Sequence, residues 1–387
     1  MLVPFFDLSR QLVSLREDVL AELAKVWDSG VFALGPAVGQ FEREFAECLG
    51  LKHAVACASG SDALLLALMA LNIGPGDEVV VPSFTFFATA SAVSRLGATP
   101  VFADIDPATY NLDPKDVASR ITERTRAIIA VHLFGQCAPM DRLMATVQSR
   151  QIAVIEDAAQ AIGAQWVGRP AGGMGLVGCF SFYPTKNLGG AGDGGMLSTA
   201  CDTLAAKFRL LRVHGMHPRY YHRMIGINSR LDAFQAAVLR VKLRHLPQWE
   251  KQRAENARRY FDLFREFQLD HILGLPYVDP AAKHVWNQFV IRVPEGNRDL
   301  LRTHLTEAQI GTEIYYPLGL HEQECFAHLG YAPEDLPETY RATREVLALP
   351  IFPELTYEEQ RLLVGQIARF YHGRAAVPVQ HTRKAAA

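Results

Sequence analysis

The chain has 387 residues, 49% hydrophobic and 21% charged, enough to bury a sizeable core in one large unit and a smaller one. Its 39 basic and 41 acidic residues leave a formal charge of -2, so no whole-chain field draws it to nucleic acid or to an anionic membrane. Six cysteines (Cys48, Cys57, Cys137, Cys179, Cys201, Cys325) lie scattered without a CxxC pair, which suits reduced structural thiols and sets aside a disulfide framework or a zinc site; no metal is expected.

In chain order, Met1 to Arg10 carry no basic segment followed by an apolar stretch, and no run reaches the length of a membrane span, so a cytoplasmic protein is expected. From Ala54 to Ser198 short apolar runs alternate with helical stretches: Glu78 to Val81, Pro100 to Ala103, Ala127 to Val131 and Ala153 to Ile155. That alternation predicts an α/β layer with a mostly parallel central sheet. Turn signals such as Gly74-Pro75-Gly76-Asp77 and Asp106-Pro107 fall between the runs. After Ser198, Leu231, Phe234, Val238 and Val241 recur at helical spacing, and Pro247 is expected to end or bend that helix. Gln288 to Val293 reads as a strand, and Asp299 to Ala308 and Tyr357 to Phe370 as helices, enough for a small α+β unit. The expected division is 1–246 for the large domain and 247–387 for the smaller one, with a frayed basic tail after about residue 373.

Four stretches carry residues suited to chemistry. Val154-Ile155-Glu156-Asp157-Ala158-Ala159-Gln160 sets a carboxylate just after an apolar strand, where open α/β sheets bind ligands, although such an Asp also caps helices. Ser181-Phe182-Tyr183-Pro184-Thr185-Lys186-Asn187-Leu188-Gly189-Gly190 places one lysine before a glycine cluster; its bland reading is a surface lysine in a loop. Ala58-Ser59-Gly60-Ser61-Asp62 opens a strongly helical run, which makes either an anion site or a plain N-cap by Ser59 or Ser61. Pro82-Ser83-Phe84-Thr85-Phe86-Phe87 offers aromatics for core filling or for a flat ring. Together they supply an amine, an acid for a ring nitrogen, an anion cradle and an aromatic face. An aldehyde cofactor on a phosphorylated pyridine ring, pyridoxal 5'-phosphate (PLP), requires that set.

At these motifs the sequence resembles the DegT/DnrJ/EryC1/StrS sugar aminotransferases, which have the PLP fold type I (aspartate aminotransferase-like) architecture. Leu34-Gly35-Pro36, Ser59-Gly60-Ser61-Asp62-Ala63-Leu64, Gly74-Pro75-Gly76-Asp77-Glu78-Val79, Val131-His132-Leu133-Phe134-Gly135-Gln136, Glu156-Asp157-Ala158-Ala159-Gln160 and Ser181-Phe182-Tyr183-Pro184-Thr185-Lys186 carry the likeness. The resemblance implies that Lys186 holds PLP as a Schiff base, Asp157 pairs with the ring nitrogen and Gln160 reaches the ring hydroxyl. It further implies that Gly60, Ser61 and Ser181 bind the phosphate and that Phe86 stacks on the ring. Asn228 would reach the phosphate from a neighbouring subunit, which implies a homodimer with shared sites. Lys186 stands where dehydrating relatives have histidine, so the implied reaction is transfer of an amino group from glutamate to a nucleotide-linked keto sugar. The stretches Arg219-Tyr220-Tyr221-His222 and Asn228-Ser229-Arg230-Leu231-Asp232 lean to a 3-keto substrate, with Arg230, Tyr316 and His321 as candidate sugar contacts. Tyr315 stands where many relatives have histidine. Two other readings stay open: a regulatory or sensory protein that keeps the fold without turnover, and a PLP enzyme of another reaction type, such as a dehydratase or lyase.

Overall fold

A computed structural model describes residues 2–148 and 150–373. The tail expected to fray, beyond Gly373, lies outside the described residues. Seven strands form the central sheet: β1 (His53–Cys57), β2 (Glu78–Pro82), β3 (Thr99–Ala103), β4 (Thr125–Val131), β5 (Ala153–Asp157), β6 (Val177–Ser181) and β7 (Gly195–Thr199), in the spatial order β1-β7-β6-β5-β4-β2-β3. The four runs singled out in the sequence are β2 to β5, and they pair in parallel. Strand β7 alone runs against its two neighbours, β1 and β6.

The strands read as unbroken apolar runs because both faces of the sheet are covered. Alternate residues of the same strands feed two separate cores. Val80, Ile128 and Val154 pack on one side with Phe45, Phe180 and Phe182, while Val79, Val81, Ile129 and Ile155 pack on the other with Leu64, Leu68 and Phe208. Two helices, Leu8–Ser29 and Pro36–Leu49, precede β1, and the motifs above do not anticipate them.

Beyond β7 the predicted helix spans Ala233–Leu243, N-capped by Asp232, whose carboxylate accepts from Gln235 N at 2.8 Å. The role given to Pro247 needs correction. The helix closes at Leu243, and Pro247 stands in the first turn of the next one, Leu246–Glu266. There its missing N–H has no intrahelical acceptor to lose, so proline starts this helix instead of breaking the last.

The C-terminal part pairs β8 (Phe289–Arg292) with β9 (Val346–Leu349) antiparallel, flanked by helices Arg298–Glu307 and Tyr357–His372, within two residues of the expected bounds. Its core, around Tyr260, Phe264, Phe289, Leu301 and Ile367, also takes in Val3. No helix among the described residues is long and apolar enough to cross a membrane.

Candidate active site

Parallel pairing brings the carboxyl ends of β4, β5 and β6 to one edge, with Asp157 level with Val131 on one side and Cys179 on the other. The site grows from that edge. The turn from β1 into the helix Gly60–Ala70 is extended at Ser59, whose hydroxyl accepts from Asp62 N at 3.1 Å. Ser59 therefore performs the capping, and the N–H groups of Gly60 and Ser61, which have no intrahelical acceptor, are left for an anion. A side chain on Gly60 would put its Cβ 2.6 Å from that of Ser181, so the helix start and the end of β6 lie in contact. Likewise a Cβ at Gly195 would fall 2.3 Å from the Ser59 carbonyl oxygen. Small residues from three strands thus close one cradle.

Asp157 ends β5, buried, accepting from the Thr89 hydroxyl at 2.9 Å and from Ala159 N at 3.2 Å. Burial raises its carboxyl above the ordinary range, against the pull of the Thr89 and Ala159 bonds and the charge of Lys186. Lys186 follows β6 in a tight coil, its N–H bonded to Tyr183 O at 2.9 Å. Burial pushes its ammonium down to about 8, with the Asp157 charge opposing. Amine and acid are therefore close enough for the charge of each to bear on the other.

Gln160 is buried and split between two partners: its carbonyl accepts from Phe134 N at 2.7 Å, and its amide donates to the Tyr316 hydroxyl at 3.1 Å. Tyr316 lies edge-on to Phe84 with centroids 5.2 Å apart, and burial raises its phenol. The aromatic run after β2 divides: Phe84 is wholly buried, while Phe86 is 61% exposed. Core filling accounts for the first and leaves the second ring free to stack on a ligand.

The remaining candidates are placed differently. Asn228 and Arg230 are exposed, on an irregular strap from Val213 to Arg230, while Ser229 between them is buried and accepts from Ala58 N at 3.1 Å. The strap is pinned beside the cradle and points its neighbouring side chains outward. His321 is buried, with Nδ1 2.6 Å from the Ser83 hydroxyl and Nε2 3.2 Å from Pro333 O. A carbonyl only accepts, so Nε2 carries the proton and both ring nitrogens are engaged inside the chain.

Three residues of this edge escape sequence reasoning. Thr89 is one. His132 and Glu156 are the others: Ala138 N donates to His132 Nδ1 at 3.0 Å, which leaves the Nε2 proton for Glu156 at 2.8 Å. Glu156 also accepts from Gly172 N and Met174 N, both at 2.7 Å, and from Gly175 N at 2.5 Å. Burial pushes its carboxyl up, but the His132 bond and charge and these N–H groups outweigh it and hold it below the ordinary range. Successive residues of β5 face opposite ways, so Glu156 clamps the loop behind the sheet while Asp157 faces the site. The motif Val131-His132 hinted at His132; nothing local marks Thr89.

The cradle that admits no Cβ, the buried acid, the depressed amine and the exposed ring fit the phosphate, the ring nitrogen, the aldehyde and the flat face of PLP in turn. On an α/β frame with this strand order, such a site defines a PLP-dependent aminotransferase of fold type I.

The sequence matches the DegT/DnrJ/EryC1/StrS aminotransferase family over residues 13–368, and the chain belongs to that family. It is 44% identical over 371 residues to a UDP-N-acetyl-3-dehydro-alpha-D-glucosamine 3-aminotransferase of Acidithiobacillus ferrooxidans, covering 96% of this chain and 98% of that one. It is 48% identical over 369 residues to a protein of Geobacillus stearothermophilus named pleiotropic regulatory protein, covering 95% and 98%. In three dimensions it is similar to DesV of S. venezuelae, solved in complex with a ketimine intermediate, with a TM-score of 0.92 at 42% identity over 96% of this chain and 98% of that one.

Proposed function

We propose that this chain moves an amino group from glutamate to the 3-keto position of a nucleotide-linked sugar, as a cytoplasmic homodimer feeding amino-sugar, polysaccharide or glycoside assembly. The observation that carries the reading is the pairing of a depressed Lys186 amine with a buried Asp157 carboxylate beside an anion cradle. The substrate class follows the relatives' named activities at high identity over almost the full chain. The residues assigned to the cofactor all lie within 1–246, and the smaller part adds Tyr316, bonded to Gln160, and His321, bonded to Ser83.

PLP, when bound, supplies an electron-withdrawing ring that eases removal of a proton from the carbon bearing nitrogen. Gly60, Ser61 and Ser181 would bind its phosphate, Phe86 would lie on its ring, Gln160 would reach its hydroxyl, and Asp157 would hold a proton on its ring nitrogen. Lys186 would carry the cofactor at Nζ and move protons there, and an ammonium lowered to about 8 gives up its proton more readily than an exposed lysine does. Asn228 completes the phosphate site of a neighbouring copy, which suits its exposure on a strap whose two tyrosines, Tyr220 and Tyr221, are also exposed. Arg230 and Tyr316 border the sugar, and His321 fixes the wall behind it.

Excess glutamate added to the PLP-loaded protein should convert the visible absorbance to the shorter-wavelength amine form, and a nucleotide-linked 3-keto sugar should restore it with gain of an amino group by mass. An unchanged spectrum would remove the reading. The regulatory alternative draws on the Geobacillus relative's name, and the same experiment separates them, since a binding protein leaves the band in place.

A further inference from the structure

Asp157 keeps its place through a contact that neither the motifs nor the proposed function uses. Thr89 is wholly buried in the helix Ala88–Ser94, and its hydroxyl donates to Asp157 Oδ2 at 2.9 Å across 68 residues of sequence. A carboxylate only accepts, so the single Thr89 proton is committed to it while Asp157 is ionised. The Thr89 oxygen then has a lone pair free, and Thr85, also buried, places its own hydroxyl 3.4 Å away. The direction of the chain is fixed: Thr85 to Thr89 to Asp157. Protonating Asp157 would replace a charge-assisted bond by a weaker one, so the pair favours the ionised acid against the cost of burial. Thr89 N also donates to Phe86 O at 3.2 Å, which ties the exposed ring and the buried hydroxyl to one turn.

We infer that Thr89, backed by Thr85, is a positioning residue for the cofactor: it holds Asp157 ionised and in one rotamer, so that the ring nitrogen stays protonated and the ring stays seated under Phe86. The inference rests on the PLP reading above.

The test uses full-length PLP-loaded protein with Thr89→Val, which keeps the shape and removes the donor, and Thr89→Ser, which keeps the donor. Two quantities are read: the dissociation constant of PLP, and the pH at which the visible band of the lysine-bound cofactor changes form. Thr89→Val should weaken PLP binding by roughly tenfold to a hundredfold, the scale of a hydrogen bond to a buried charge. It should move the band transition up by about one unit, because an unprotonated ring draws less electron density from the Lys186 nitrogen. Thr89→Ser should return both towards wild type, and Thr85→Ala should shift the band the same way by less. Weaker binding with an unmoved band would be packing damage and would overturn the inference. So would a Thr89→Val protein equal to wild type in both readouts while Asp157→Asn is impaired. If Asp157→Asn and Lys186→Ala also left binding and band unchanged, the PLP reading itself would fall, which is a separate result.

Discussion

Among the described residues, lost solvation pushes the ammonium groups of two lysines, Lys186 and Lys242, down to about 8, yet they occupy regions with little else in common. Lys186 sits in a coil between β6 and a glycine cluster, partly open to solvent and under the charge of Asp157. Lys242 sits near the end of the helix Ala233–Leu243, 2% exposed, its ammonium 5.9 Å from the centre of the Trp249 ring, with Glu354 as the opposing charge. Trp249 in turn belongs to a small apolar cluster with Leu15 and Val241. A lowered value therefore records lost water and nothing more. Chemistry needs, in addition, an acid that faces the amine, a cradle for the partner molecule and a way in, and the chain supplies these at Lys186.

That contrast can be broken most sharply by exchange. Lys186→Ala should abolish the visible cofactor band and lower amino transfer by ~10³-fold or more, whereas Lys242→Met should keep both within about twofold; absorbance and a product assay with glutamate decide it. Equal losses in the two variants would mean that Lys242 takes part in the site.

The next effect concerns pH. Only the neutral amine attacks an aldehyde, so PLP uptake by cofactor-free protein should rise with pH and reach half its maximum near 8, not near the free-lysine value of 10.5. Between pH 8 and pH 6 the rate should fall roughly fiftyfold, steepening towards one decade per unit at the acid end, in stopped-flow absorbance. Lys242→Met should leave this profile where it is.

The smallest effect is on stability. For Lys242 the folded value lies below the unfolded 10.5, so the unfolded chain binds the proton more tightly between about 8 and 10.5. The burial penalty is thus fully present below pH 8 and disappears as pH rises to 10.5. Lys242→Met should stabilise the PLP-loaded protein by about 2 kcal/mol at pH 7 and flatten its stability across that window, as read by urea unfolding at several pH values. A destabilised Met variant would show that the Glu354 charge left behind matters more than the ammonium removed.

What the sequence discloses follows the range of the forces involved. Strands β2, β4 and β5 were legible because burial on both faces writes Val- and Ile-rich runs into the chain. Lys186 and Asp157 were legible because each sits beside a local signal, a glycine cluster and a strand end. Thr89 was not: its partner lies 68 residues away, brought near by the sheet order, and a threonine in a short helix carries no mark of that. The engagement of His321 Nδ1 depends likewise on Ser83, 238 residues distant. Pro247 shows a different gap. Proline both stops helices and starts them, and the choice is visible only once the following helix is known.

The phosphate cradle has one more consequence. Its pieces, Ser59 to Ser61, Ser181 and Gly195, come from three strands that meet only when β7 has inserted between β1 and β6, and Ser229 buttresses them from further still. A growing polypeptide cannot grip the cofactor until most of the large unit has left the ribosome and found its topology. Capture is then a late seal on a finished fold: at a PLP concentration a hundred times its dissociation constant it adds about 2.7 kcal/mol to the folded state. Supply of the vitamin-derived ligand would set how long the folded chain resists a protease, as well as how fast it turns over.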